Sequence, residues 1–250
     1  MADALLSAEE VGVRFGDFQA LSGMSIAVEP HTIHALIGPN GAGKTTFFNA
    51  ITGVRRPDTG RITLEGRPIT RAPAYRRVRY GMARSFQVTN IYPALTACEN
   101  VRLAVQARHR REGWIFWRSP AARADILDET GALLSQLGIL DRANTRAGEL
   151  SHGAQRLLEI GMALGANPRI ICLDEPLAGM GIDDVHRTKS LITDLRKRMA
   201  VLLIEHNMSV VLSISDQITV MSQGRKIAAG TPDVIRNDPS VRAAYLGSAA

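Results

Sequence analysis

The chain of 250 residues has only two cysteines, Cys98 and Cys172, with no paired spacing. That excludes a disulfide scaffold and suits a reducing compartment. Cys172 stands inside an apolar run, where it reads as a small buried residue. No hydrophobic run approaches the roughly 20 residues needed to span a bilayer, so any membrane role is expected to come through a partner. The first ten residues lack a basic-then-apolar design, and no secretory leader is expected. Aromatic residues make up 5% of the chain, and no aromatic-interleaved basic motif of an RNA-binding module occurs, nor zinc-finger spacing. There is no internal repeat and no low-complexity segment. Net charge is nevertheless +6, with a pI near 9.8 and a mean hydropathy of -0.02. Much of the positive charge is arginine in clusters such as Arg76-Arg77-Val78-Arg79 and Arg108-His109-Arg110-Arg111. A solvated basic face, or one near anionic lipid headgroups, accounts for it, and no nucleic-acid partner is expected.

What the chain does have is Gly38-Pro39-Asn40-Gly41-Ala42-Gly43-Lys44-Thr45, which fits the phosphate-binding pattern G-x-x-x-x-G-K-[ST]. A strand-like run, 32–37, precedes it and a helix-compatible run, 45–50, follows. Glycines let backbone N–H groups turn inward around phosphate oxygens, and the helix start adds the positive end of its dipole. Lys44 can reach β- and γ-phosphates, and the Thr45 hydroxyl can ligate Mg²⁺. The sequence predicts a bound nucleoside triphosphate.

Elsewhere the pattern alternates strands and helices. Residues 5–15 and 24–28 read as short strands, and 61–64 as another before the Glu65-Gly66 turn. From 90 to 165 the spacing turns helical, as in Leu127, Leu133, Leu134, Leu137, Ile139 and Leu140, so a helical subdomain is expected there, inserted into an α/β core. Residues 169–173 and 201–204 are candidate buried strands flanking a helical stretch, 183–198. A hairpin around Gln223-Gly224 is expected over 217–229, and a helical tail over 232–246.

The phosphate loop follows one strand, Asp174-Glu175 the second and His206 the third. In an open parallel sheet these three sets emerge together at the carboxyl edge, where ligands bind. Asp174 suits the Mg²⁺ shell of a nucleotide. Glu175, one residue further, is a candidate general base for an attacking water. Ser151 is a natural N-cap, and Leu157, Leu158, Ile160 and Leu164 recur behind it at helical spacing, building a helix whose N-terminus can meet a phosphate.

With these motifs in this order, the chain resembles the ATPase subunits of ABC transporters over nearly its whole length. Leu150-Ser151-His152-Gly153-Ala154-Gln155 is similar to the family's signature loop, Arg84-Ser85-Phe86-Gln87 to its Q-loop and Leu203-Ile204-Glu205-His206 to its switch-histidine segment. The resemblance implies an α/β fold: a P-loop ATPase core with a mostly parallel sheet, an N-terminal antiparallel β subdomain and an inserted helical subdomain. The core would comprise about 1–89 and 166–250, and the helical subdomain, with the signature, about 90–165. It implies ATP and Mg²⁺ as cofactors and ATP hydrolysis as the reaction. Catalytic roles fall on Lys44, Gln87, Glu175 and His206. Phe15 would stack on adenine, and Gly38, Pro39, Asn40, Gly41, Ala42, Gly43, Lys44, Thr45 and Thr46 would hold the phosphates. Mg²⁺ would be held by Thr45, Gln87 and Asp174. Ser151, His152, Gly153, Ala154 and Gln155 would close in trans over ATP on another subunit. Two departures stand out. His152 and Ala154 replace the usual Gly and Gln of the signature, and Gly181 stands where the D-loop commonly has Asp.

The segment Phe15-Gly16-Asp17-Phe18-Gln19-Ala20-Leu21, the insertion 107–122 and the tail from Asn237-Asp238-Pro239 to Gly247 are similar to the branch that energises uptake of branched-chain amino acids. Urea or amide importers, lipid exporters and soluble ABC ATPases of translation, DNA repair or cluster assembly are the alternatives. Translation types carry two cassettes and repair types long coiled-coil insertions, and neither is present. The branch implies transmembrane permease subunits as partners, with a periplasmic solute-binding protein acting indirectly. It also implies a second ABC ATPase in a heterodimer, a homodimer being the other arrangement. The expected location is peripheral, on the cytoplasmic face of the bacterial inner membrane. Trp114, Phe116 and Trp117 in the insertion are expected to pack on the helical subdomain or to meet a membrane partner or the bilayer interface.

Overall fold

A computed structural model of the chain describes residues 4–85, 91–109 and 120–246. Phe86 and Gln87 of the Q-loop-like segment, and the aromatic insertion residues Trp114, Phe116 and Trp117, lie outside the described residues.

Among the described residues ten strands form two sheets. β1 (Leu6–Phe15), β2 (Phe18–Val28), β4 (Thr59–Leu64) and the short β5 (Arg67–Pro68) make an antiparallel sheet in the order β2-β1-β4-β5. The second sheet joins β3 (Ile33–Ile37), β6 (Met82–Arg84), β7 (Ile170–Asp174), β8 (Ala200–Ile204), β9 (Gln217–Ser222) and β10 (Arg225–Gly230) in the order β10-β9-β3-β8-β7-β6. It is parallel except for β10, which pairs antiparallel with β9. The α/β fold class read from the sequence is the one observed.

β3, β7 and β8 are buried at every position because both faces of the sheet are covered. On β7 the side chains alternate between two cores. Ile171 and Leu173 join a cluster with α3 (Ala97–His109), α4 (Pro120–Gln136) and α5 (His152–Gly165). Ile170 and Cys172 join Phe47, Phe48 and Ile51 of α1 (Lys44–Thr52), packed with the antiparallel sheet.

Two differences from the sequence reading have physical causes. β2 begins at Phe18, six residues before the expected start at 24, because bulges shift its register with β1 and Gly23 turns at φ +67°, which erases a clean alternation. β6 was not expected. Three residues carry no periodicity, and the strand exists through its pairing of Met82, Ala83 and Arg84 with Ile170, Ile171 and Cys172.

The far end of α1 is closed by a buried cation. Arg77, 1% exposed in α2 (Ala74–Arg79), donates to the carbonyls of Ala50 (2.8 Å), Ala72 (2.9 Å), Thr70 (3.2 Å) and also Ile51. A positive charge over the last carbonyls of a helix complements its dipole. Burial brings the guanidinium down to about 10, still far above neutral pH, so the charge persists.

β3 carries a second buried ionisable group, His34, whose Nε2 pairs with Thr219 Oγ1 at 2.9 Å. Burial, aided by the Lys226 charge, lowers its pKa to about 4, although a hydrogen bond to the Ala27 backbone opposes the shift. The unfolded chain takes up this proton near pH 6.5, while the folded chain resists it until about pH 4. Stability is therefore full above pH 6.5 and falls as pH drops toward 4, by about 3 kcal/mol for this group. Chemical denaturation across that window should show the slope, and His34→Gln should flatten it; an unchanged slope would remove His34 as its source.

Candidate active site

The loop after β3 is shaped by its glycines and tied from behind. Gly38 has φ +155°, and a Cβ there would stand 2.3 Å from the Met221 carbonyl oxygen of β9. Gly43, at φ +96°, is the N-cap of α1. The Gly224 N–H donates to the Ala42 carbonyl (3.0 Å), and the Ser22 N–H donates to the Gly224 carbonyl (2.9 Å). The β9–β10 turn thus braces the loop against β2. Lys44, in the first turn of α1 and 8% exposed, donates Nζ to the carbonyls of Gly38 (2.7 Å) and Pro39 (3.0 Å). Burial lowers its pKa, while Glu175 and Asp174 oppose the shift. Thr45 is exposed and Thr46 half-buried beside it.

A cleft of about 610 Å³ opens over this loop, lined by residues 40–46, the β9–β10 turn, Phe15 and Phe18. Phe15 is half-exposed, and the Arg55 guanidinium covers one face of its ring at 3.9 Å. Phe18, paired with it across the hairpin turn, was not singled out in the sequence. A flat base can stack on such rings while phosphates reach the loop.

Asp174 ends β7, and its Oδ2 is buried without a hydrogen-bond partner. Its N–H donates to Ser85 Oγ at 3.2 Å. Burial raises its pKa, and Arg84 is the leading charge against that. The Arg84 guanidinium itself donates to Asn49 Oδ1 and Thr52 Oγ1 on α1, both at 2.8 Å, and lies 4.8 Å from the Phe48 ring. An unpaired buried carboxylate oxygen calls for a partner. The Thr45 hydroxyl and this Asp174 oxygen are hard donors, which fit Mg²⁺. Among the described residues no three or more His, Cys, Asp or Glu gather to cage an ion alone. Mg²⁺ sites of that kind share ligation with substrate phosphates and water.

Glu175 follows in the left-handed region at φ +46°, and its N–H donates to the carbonyl of Ile204, the last residue of β8, at 3.0 Å. His206 Nδ1 lies 3.7 Å from Glu175 Oε1. Between them Glu205 is 1% exposed, a residue the sequence showed but gave no role. Burial raises its pKa, opposed by backbone N–H groups of Leu177 and His206. The structure therefore gathers Lys44, Asp174, Glu175 and His206 at one sheet edge.

The 150–155 loop stands elsewhere and lines no part of that cleft. Ser151 caps α5, accepting from the Ala154 N–H at 3.3 Å. Gln155 is anchored on the Ala147 and Leu150 carbonyls. Gly153 is packed against Asp184 in the first turn of α6 (Ile182–Leu195), where a Cβ would stand 2.1 Å from the carboxylate. Ser151 and His152 are exposed. Gly181 occupies the N-cap of α6 without a side-chain bond. Sequence reasoning also passed over Arg156–Glu159, a 2.9 Å ion pair with both side chains about 95% buried, because charges at helical spacing read as a solvated face.

Residues 21–178 match the model of the ABC transporter family, and residues 225–250 match that of the branched-chain amino acid ATP-binding cassette transporters. The chain is 40% identical over 256 aligned residues to the high-affinity branched-chain amino acid transport ATP-binding protein BraF of Pseudomonas aeruginosa, covering all of both chains. It is 39% identical to LivG, the protein of the same description from Salmonella typhimurium, again over all of both. Among solved structures, the ADP conformation of an ATP-binding cassette of an ABC transporter is 32% identical, with a TM-score of 0.84 over 97% of this chain and 98% of that one.

Lys44→Ala should lower ATP hydrolysis by about 100-fold or more, because the loop loses the cation that stabilises charge on transferring phosphate. A phosphate-release assay with a parallel nucleotide-binding titration measures both effects. Unchanged turnover would take the active site away from this edge.

Proposed function

The chain belongs to the ABC transporter family, and we propose that within it this subunit hydrolyses ATP to energise uptake of branched-chain or related amino acids through separate membrane subunits. The observation that carries the substrate class is the similarity, over all of both chains, to two branched-chain amino acid transport ATP-binding proteins. The match of residues 225–250 to the model for that branch also supports it. Among the described residues no helix is long and apolar enough to cross a membrane, in keeping with a peripheral subunit on the cytoplasmic face that acts on permease partners.

The chemistry follows from the sheet edge. The base stacks on Phe15, and residues 38–46 wrap the phosphates. Lys44 leaves the Gly38 and Pro39 carbonyls for the β- and γ-phosphates, a short move for a flexible ammonium. Glu175 accepts the proton of the attacking water as that oxygen bonds to the γ-phosphorus, and ADP departs as the leaving group. His206, beside Glu175, contacts the γ-phosphate. Thr45, Asp174 and Gln87 would hold Mg²⁺, which when bound would supply positive charge against the phosphate oxygens. Ser151 and Gly153 at the α5 N-terminus complete the site in trans, where helix N–H groups meet anionic oxygens.

Trans closure makes partner choice a matter of chemistry. In a homodimer both sites would contain His152, Ala154 and Gly181. A second, related ATPase with the usual residues would give the phosphate loop of this chain the usual partner, so a heterodimer is the arrangement we favour.

Glu175→Gln should retain ATP binding and lose hydrolysis by about 100-fold or more, since the amide fills the space without accepting a proton. The ATP-bound dimer should then accumulate on gel filtration with Mg-ATP. No dimer, even with the second ATPase present, would count against closure in trans. For the heterodimer, turnover should be low for the chain alone and rise on adding the second ATPase and membrane subunits. Full turnover from the isolated chain, growing with the square of its concentration, would instead establish a homodimer.

A further inference from the structure

The structure assigns to Glu205 the part of a positioning residue: its carboxylate staples the loop carrying Glu175 to the loop carrying His206, holding the candidate base in place for hydrolysis. This role presupposes the ATP hydrolysis proposed above.

Glu205 follows β8, whose five residues are apolar and buried, and is itself 1% exposed. A carboxylate placed there is costly unless its oxygens are hydrogen-bonded. Both are. Oε1 accepts the Leu177 N–H at 3.2 Å, and Oε2 accepts the His206 N–H at 3.3 Å. One group therefore links the peptide two residues beyond Glu175 to the peptide that begins His206.

The need for such a link lies in the backbone of Glu175. At φ +46° it occupies a region that costs a side-chain-bearing residue about 1–2 kcal/mol. Its N–H is held by the Ile204 carbonyl (3.0 Å), and its carbonyl accepts the Ala178 N–H (3.2 Å). Those two bonds fix the residue and the turn after it. The Glu205–Leu177 bond fixes that turn against β8, so the unusual conformation is held from three sides. Glu175 Oε1 then stands 3.7 Å from His206 Nδ1, and the same carboxylate of Glu205 holds the His206 peptide. Glu205 acts through these two residues.

Replacing the carboxylate by an amide separates positioning from packing. Glu205→Gln has nearly the same volume but only one acceptor oxygen. Its NH₂ must face either the Leu177 or the His206 N–H, donor against donor. We expect kcat for ATP to fall about tenfold, the loss of one hydrogen bond to a charged group. KM for ATP should stay within about twofold, because the phosphate loop is untouched. The thermal midpoint should fall by no more than a few degrees, and the Leu177 amide should lose protection from hydrogen exchange. The measurement uses the full chain, assembled with its ATPase and membrane partners where it turns over slowly alone. Unchanged kcat would overturn the assignment. So would kcat, KM and thermal midpoint worsening together while the Leu177 amide stays protected, the pattern of a purely structural residue. If Glu205→Gln does not fold, Glu205→Asp, which keeps the charge but shortens the reach, is read in the same way. Absence of Lys44-dependent hydrolysis in the unsubstituted assembly would count against the ATPase reading itself, and amide exchange at Leu177 would still decide the tether.

Discussion

A parallel strand buried on both faces has nowhere along its length to put a charge. In β3, β7 and β8 every side chain is buried, and β7 divides its residues between two hydrophobic clusters. Charged groups can enter such a sheet only where a strand stops, the buried His34 of β3 being held neutral, and adjacent parallel strands stop on the same side. Residues more than a hundred positions apart therefore meet at one edge without a dedicated element to bring them there. Loop, carboxylates and histidine are assembled by the same burial that stabilises the core.

That edge would be electrostatically unstable if its charges stood alone. Asp174 and Glu205 are both nearly inaccessible, and burial pushes both toward the protonated form. They are countered differently. Glu205 is met by backbone N–H groups of two loops, which carry partial charge and fix geometry. Asp174 is met at longer range by Arg84, Arg156 and Lys44, full charges anchored elsewhere. Arg84 belongs to β6 and binds α1, while Arg156 belongs to α5 and pairs with Glu159. α1, β6 and α5 thus share one electrostatic neighbourhood around Asp174.

How much of this could be read in advance depended on whether a residue's role was local. Residues 38–45 declare their purpose by spacing, because glycine freedom, helix start and lysine reach are properties of consecutive positions. The apolar runs that became β7 and β8 were equally plain. β6 was hidden because three residues have no period, and the early part of β2 because bulges break its alternation. Arg84, Glu205 and the Arg156–Glu159 pair were visible as letters but silent as roles. Their partners lie in other elements or one helical turn away inside a core, and nothing in charge spacing separates a buried pair from a solvated one. Gly153 is similar: its small size could be noted, but the Asp184 carboxylate pressing on it could not.

The Arg77 clamp has a consequence for motion. One guanidinium grips the last turn of α1 and the carbonyls of Thr70 and Ala72, which follow the end of the antiparallel sheet. Sliding or tilting α1 against that sheet would strand a cation in an apolar interior, a penalty far larger than thermal energy. The end of α1 and the segment between β5 and α2 are therefore joined through one buried guanidinium. Any motion that parts α1 from that segment must first break those bonds, which makes the guanidinium a latch between them.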